Sequence, residues 1–267
     1  MTVGPDAARY LHAGGGGAVP RPFHLRWLLP AVCGRWRRRW WIVWALSWPL
    51  LAVSMFAWQS HLGASRALAA TVLLVALPGI LGPAAVMPVG VDLPASALTL
   101  AACASWQWSP PLAVVLLVLA AATKETAPVF AAVWMWAWWP LVVLVVPLVA
   151  MVVRRTGADP LGAEFQAISD HPLRASLVSH RGRWRDGWLM VAPWGVCLAA
   201  LWRPSWQLAV AAVVAYGVLL VATDTVRLVQ HAAAPVFVAG AAAVIPVGWL
   251  LPACVVHACW WWQPERV

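Results

Sequence analysis

From Trp40 to Val153 the chain carries just four charged side chains, Arg66, Asp92, Lys124 and Glu125. A folded surface in water needs many more, and the remaining sequence does not supply them. Of all 267 residues 63% are hydrophobic and 10% charged, where soluble domains run near ~45–50% and ~25%. Disordered chains lie at the opposite extreme, poor in apolar and rich in charged residues. The composition therefore points to an integral membrane protein. The expected fold class is all-α, a polytopic membrane helical bundle.

The formal net charge of +9 raises nucleic acid as a partner, but its distribution argues against one. Residues 1–39 hold seven Arg and one Asp, and residues 154–186 hold six Arg against four acids. Short basic blocks between apolar stretches orient membrane spans, which places Arg35–Arg39 in the cytoplasm. Such blocks face anionic headgroups. The expected partner is the lipid bilayer and the expected location the cell membrane. The five Cys, at 33, 103, 197, 254 and 259, include no Cys-x-x-Cys, so neither a disulfide framework nor a metal site is expected. Met1–Gly17 lacks the apolar core of a signal peptide, and insertion is expected to start from the first internal span.

A helix needs about 20 residues to cross the hydrocarbon. Residues 1–39 read as a polar, basic leading loop, in which Gly14–Gly17, Pro20 and Pro22 disfavour helix. Residues 40–153 read as membrane helices at Trp41–Trp58, Ala67–Met87, Leu93–Trp106, Leu112–Ala122 and Pro128–Val153. The third and fourth are a short pair around Ser109-Pro110-Pro111, and the last is the longest uninterrupted run of this half. Residues 154–186 form a polar loop. Residues 187–267 resume with Trp188–Trp202, Trp206–Ala222 and Ala232–Trp262, the last suited to one tilted helix or two broken ones at Pro246 and Pro252. The sum is seven to nine membrane segments in a single membrane domain.

An ionisable group inside such a chain is expensive and marks a functional hypothesis. Thr123-Lys124-Glu125-Thr126 stands between two apolar runs. Adjacent residues on a helix point about 100° apart, so Lys124 and Glu125 need not pair. They form either a solvated helix corner or a site in which Lys124, a compact cation, meets a phosphate and Glu125 orients it or a sugar hydroxyl. Asp224 and Arg227, with His231 downstream, are spaced to share one helix face; they form either a self-contained surface salt bridge or a site in which the Arg fork holds a carboxylate or phosphate. Asp6 with Arg9 and Tyr10, then His12, opens the chain, followed by Arg21, His24 and Arg26, and Asp6 there is either a solvated loop residue or part of a site. Asp92 precedes Leu93-Pro94 as a helix N-cap or a site residue.

The order of these motifs resembles the GT-C class of multi-pass glycosyltransferases. Asp-x-x-x-Tyr-Leu (Asp6, Tyr10, Leu11) is followed by Pro-Phe-x-x-Arg-x-Leu-x-Pro (Pro22, Phe23, Arg26, Leu28, Pro30). Val91-Asp92, Thr-Lys-Glu-Thr at 123–126, and Asp-x-x-Arg with a later Pro (Asp224, Arg227, Pro235) come next. The resemblance implies a polyprenyl-phosphate-linked sugar donor, an extracytoplasmic acceptor, and Asp6 as the catalytic acid residue, acting as base or metal contact. It implies Tyr10, Arg26, Asp92, Lys124, Glu125, Asp224, Arg227 and His231 as substrate-binding residues. A divalent metal is open as a cofactor, with no ligand set evident. Members of the class carry a membrane helix before this loop, so the expectation is either an upstream start or a shortened relative. Two other functions fit the same composition: a transporter or flippase of an anionic or lipidic substrate, and a non-catalytic membrane subunit.

Overall fold

The computed structural model describes residues 5–81, 88–162, 191–218 and 225–260. All regular structure among them is helical. The chain divides into two compact units. The first unit comprises residues 1–51 and 86–171, the second residues 52–85 and 172–267.

In the first unit, α1 (Pro5–Gly14) corrects the expectation of a leading loop. Pro5 suits the first helical turn, Asp6 lies at the positive end of the helix dipole, and Ala7, Ala8 and Leu11 are good helix formers. The glycines do not prevent this helix; they end it. A short 3-10 turn, Phe23–Leu25, leads to α2 (Leu28–Cys33), which stops at Gly34 with φ +58. The α1 and α2 ends meet so closely that a Cβ at Gly14 would lie 2.4 Å from the Gly34 carbonyl oxygen. Ala7, Tyr10, Phe23, Leu29, Cys33, Trp40 and Val91 form one buried cluster beneath them. The helix α3 (Arg37–Gln59) continues from there, anchored by Trp40, whose indole N–H donates to the Gly34 carbonyl at 3.1 Å.

The expected short pair is present as α5 (Asp92–Ser105) and α6 (Pro110–Thr123), packed on each other. The long run after residue 128 is not one helix. It is α7 (Ala127–Met135), a left-handed Trp136 at φ 50, a 3-10 turn Trp139–Leu144 and α8 (Val145–Val153). Pro140 lacks the N–H an α-helix would need there, and it opens the 3-10 turn instead. Of the polar loop, residues 154–162 are described.

In the second unit, α4 (Ala64–Ala76) packs against α10 (Thr225–Val244) and α11 (Val247–Trp260). The last two are the broken pair anticipated around Pro246; Pro235 and Pro252 stay inside their helices. Residues Ala192–Trp202 form a 3-10 stretch kinked at Gly195, and α9 (Trp206–Gly217) follows, its N-terminus capped by Ser205 Oγ at 3.1 Å from the Leu208 N–H. Trp194 stacks on Phe237 at 4.4 Å. Among the described residues one stretch, Arg37–Leu62, is long and apolar enough to cross a membrane; the other apolar helices are shorter.

Candidate functional site

The first unit gathers most of the chain's rare ionised groups. On α1, Asp6, Arg9 and Tyr10 are three and four residues apart and share a face. Arg9 Nη1 donates to Asp6 Oδ1 at 3.1 Å. The rest of its fork grips Asp159, with Nη2 to Oδ2 at 2.7 Å and Nε to the same oxygen at 3.0 Å. The Asp159 carboxylate, 0% exposed, also accepts the Leu161 N–H at 3.0 Å. The loop around it is stitched to the leading segment by the Gly157 N–H donating to the Val19 carbonyl.

The Pro22–Arg26 turn presents Arg26 to the α6–α7 corner. Arg26 Nε and Nη2 donate to Glu125 Oε2 and Oε1 at 2.9 and 2.8 Å, a two-pronged bond across 99 residues. Arg26 Nη1 donates to the Tyr10 hydroxyl at 3.0 Å. Phe23 lies between the two arginines, its ring centre 4.8 Å from the Arg9 guanidinium and 5.4 Å from that of Arg26. At the corner itself Lys124 leaves α6 in an extended conformation, and this separates it from Glu125. Lys124 Nζ donates to Asp92 Oδ1.

The solvated corner is therefore overturned: Lys124 is 4% exposed, and both charges turn inward onto separate partners. Asp92 lies at the first position of α5, after the Val91 cap rather than as the cap. Lys124, expected to meet a phosphate, and Arg26, expected to bind substrate, are each matched to a carboxylate.

Electrostatics follow from this packing. Burial works against the Arg26 charge, but Glu125, Tyr10 and Asp92 outweigh it and hold the guanidinium protonated. Burial likewise opposes the Glu125 carboxylate, and Arg26, with help from Lys124, keeps it below the ordinary range nonetheless. Burial pushes the Tyr10 phenol well above its ordinary value despite Arg26, so Tyr10 is a neutral hydroxyl. Burial first, then Arg21 and Arg154, lowers the His24 imidazole, with Glu125 opposing.

Thus Asp6, Tyr10, Arg26, Asp92, Lys124 and Glu125 are brought into one unit and linked by bonds or by charge. Asp224 lies outside the described residues, and Arg227 is described only as helical backbone of α10. His231 is buried in the second unit. Sequence reasoning missed Asp159, which sits in a polar loop and gives no spacing signal. The Asp6–Arg9 spacing was a legible signal. Among the described residues no three His, Cys, Asp or Glu side chains converge as a metal-binding set. Compared with known proteins, the chain matches no protein-family model, no curated protein and no solved structure.

Proposed function

We propose that this chain is a multi-pass membrane protein of the GT-C type, moving a sugar from a polyprenyl-phosphate donor to an acceptor molecule. One observation carries the reading. Asp6, on a helix at the start of the chain, and the Lys124–Glu125 corner share one electrostatic cluster through Tyr10, Arg26 and Asp92. The membrane part is supported by α3, whose most apolar window is only 28% buried. A core helix of a soluble protein would be mostly covered.

In this reading Asp6 is the general base. Its side chain is 33% exposed, so an acceptor can reach it, and Arg9 fixes its orientation. As the acceptor oxygen bonds to the anomeric carbon, the acceptor proton passes to the Asp6 carboxylate. The bond from that carbon to the phosphate oxygen breaks, and its electron pair leaves with the lipid phosphate. Lys124 and Arg26 are occupied by carboxylates, so this reading gives the departing charge to Arg21 and Arg154, which are exposed and act on His24.

The test is transfer by membranes holding the full chain, offered a panel of polyprenyl-phosphate hexoses and pentoses. Asp6→Asn should lower transfer at least a hundredfold, the usual contribution of general-base catalysis, with membrane insertion and thermal stability kept. Full activity in that variant excludes Asp6 as base. A second reading, a non-catalytic subunit, is favoured by one observation: Asp6, Arg9, Arg26, Asp92, Lys124, Glu125 and Asp159 all engage in ion pairs with one another. Absence of transfer in every arm, with fixed-stoichiometry co-purification of a larger enzyme, selects it.

A further inference from the structure

Two residues close in sequence to Arg26 and Glu125 carry buried polar atoms without a hydrogen-bond partner: both ring nitrogens of His24, and Thr126 Oγ1. His24 is 3% exposed. Native proteins rarely leave such atoms unpaired, and each exception calls for a missing partner or a role. The two groups are close in sequence to the ends of one bond. His24 precedes Arg26 by two residues, Thr126 follows Glu125 directly, and Arg26 and Glu125 are tied at 2.8 and 2.9 Å. The side chains of that fork are 14% and 19% exposed, so it reaches the surface.

The chemistry of the orphaned atoms narrows the ligand. A neutral imidazole offers one donor and one acceptor nitrogen, and a threonine hydroxyl both donates and accepts. A phosphate oxygen only accepts, which would leave the second imidazole nitrogen unpaired. Arg26 is already committed to Glu125 through Nε and Nη2. A hydroxyl donates and accepts at once. Neighbouring hydroxyls on one ring can answer His24 and Thr126 and also donate to the Glu125 carboxylate.

We infer that His24, Thr126 and the Arg26–Glu125 fork form a carbohydrate subsite that binds neighbouring sugar hydroxyls. Its assignment to the sugar of the transfer reaction rests on the function proposed above; binding itself does not. Thr126→Val and His24→Phe remove polar atoms that bond no other protein group, so a merely structural role predicts equal or higher thermal stability and nothing else.

The experiment is calorimetric titration of the purified full chain in lipid nanodiscs. The probes are methyl hexopyranosides, methyl pentofuranosides and, separately, polyprenyl phosphate bearing no sugar. The expected result is glycoside binding by the native chain, weakened about tenfold in Thr126→Val and at least as much in His24→Phe. Binding of the bare lipid phosphate and the thermal midpoints should not fall. If loading the polyprenyl-phosphate sugar blocks the glycoside, the subsite holds the donor's sugar; if both bind together, it holds the acceptor's. Glycoside binding unchanged in both variants, or absent from the native chain across the panel, overturns the inference. Full transfer activity in Asp6→Asn alongside weakened glycoside binding in Thr126→Val would remove the proposed base and leave the subsite standing.

Discussion

Glu125 is a carboxylate that the fold makes useful only by surrounding it. Its two oxygens receive Arg26, and its side chain is 19% exposed. Removing the charge in Glu125→Gln leaves a buried guanidinium without its counter-ion, and loss of about 2 kcal/mol is expected for such charged hydrogen bonds, read from denaturant or thermal unfolding in detergent. The pH dependence has a definite sign. Glu125 is held below its ordinary value in the folded protein, so its contribution is complete above the ordinary glutamate range and is lost as pH falls through the folded value. His24 acts higher on the scale. Its folded value lies below the ordinary 6.5, so the unfolded chain takes up the proton first and stability declines as pH drops from about 6.5. Thermal midpoints measured from pH 7.5 to 5.5 should fall in the native chain and stay flat in His24→Phe. An equal fall in both would assign the decline to other groups.

The geometry of these side chains depends on how their elements meet. α1 carries Asp6, Arg9 and Tyr10, and its far end touches the Gly34 turn at a distance that admits no side chain. Gly14→Ala must therefore push α1 away from α2. A cost of about 2 kcal/mol is expected, as for other overpacked contacts, with the Arg26–Tyr10 bond weakened at the same time. Transfer activity and stability should then fall together, unlike the selective loss in Asp6→Asn. At Trp136 the backbone is left-handed at φ 50, a conformation a bulky residue adopts at a cost. Its indole is 55% exposed, consistent with an aromatic anchor at a headgroup layer in the membrane reading.

At the scale of the molecule, α3 separates the membrane reading from a soluble one. Val53, on the uncovered side of that helix, is 66% exposed. In water Val53→Arg would be an ordinary surface change, within about 0.5 kcal/mol. In the middle of a bilayer the same arginine costs about 2.5–3.5 kcal/mol on insertion scales. The membrane reading thus expects Val53→Arg to shift the protein out of the alkaline-resistant membrane fraction, and an unchanged fraction with normal folding would count against a spanning α3.

The sequence by itself determined the helical class and the break at Pro110, and left one or two helices open around Pro246, because hydropathy and proline chemistry are local properties. It misread Pro128–Val153 as one helix, since a run of apolar residues does not reveal where a left-handed residue and a 3-10 turn will fall. It misread the start of the chain as a loop, because the glycines that end α1 look the same in sequence as glycines that forbid it. Only the tertiary structure decided the pairings. Arg26 finds Glu125 across 99 residues and Arg9 finds Asp159 across 150. Burial forces each charge to take an opposite partner, and which partner it takes depends on the folding of segments whose spacing in sequence carries no trace of their contact.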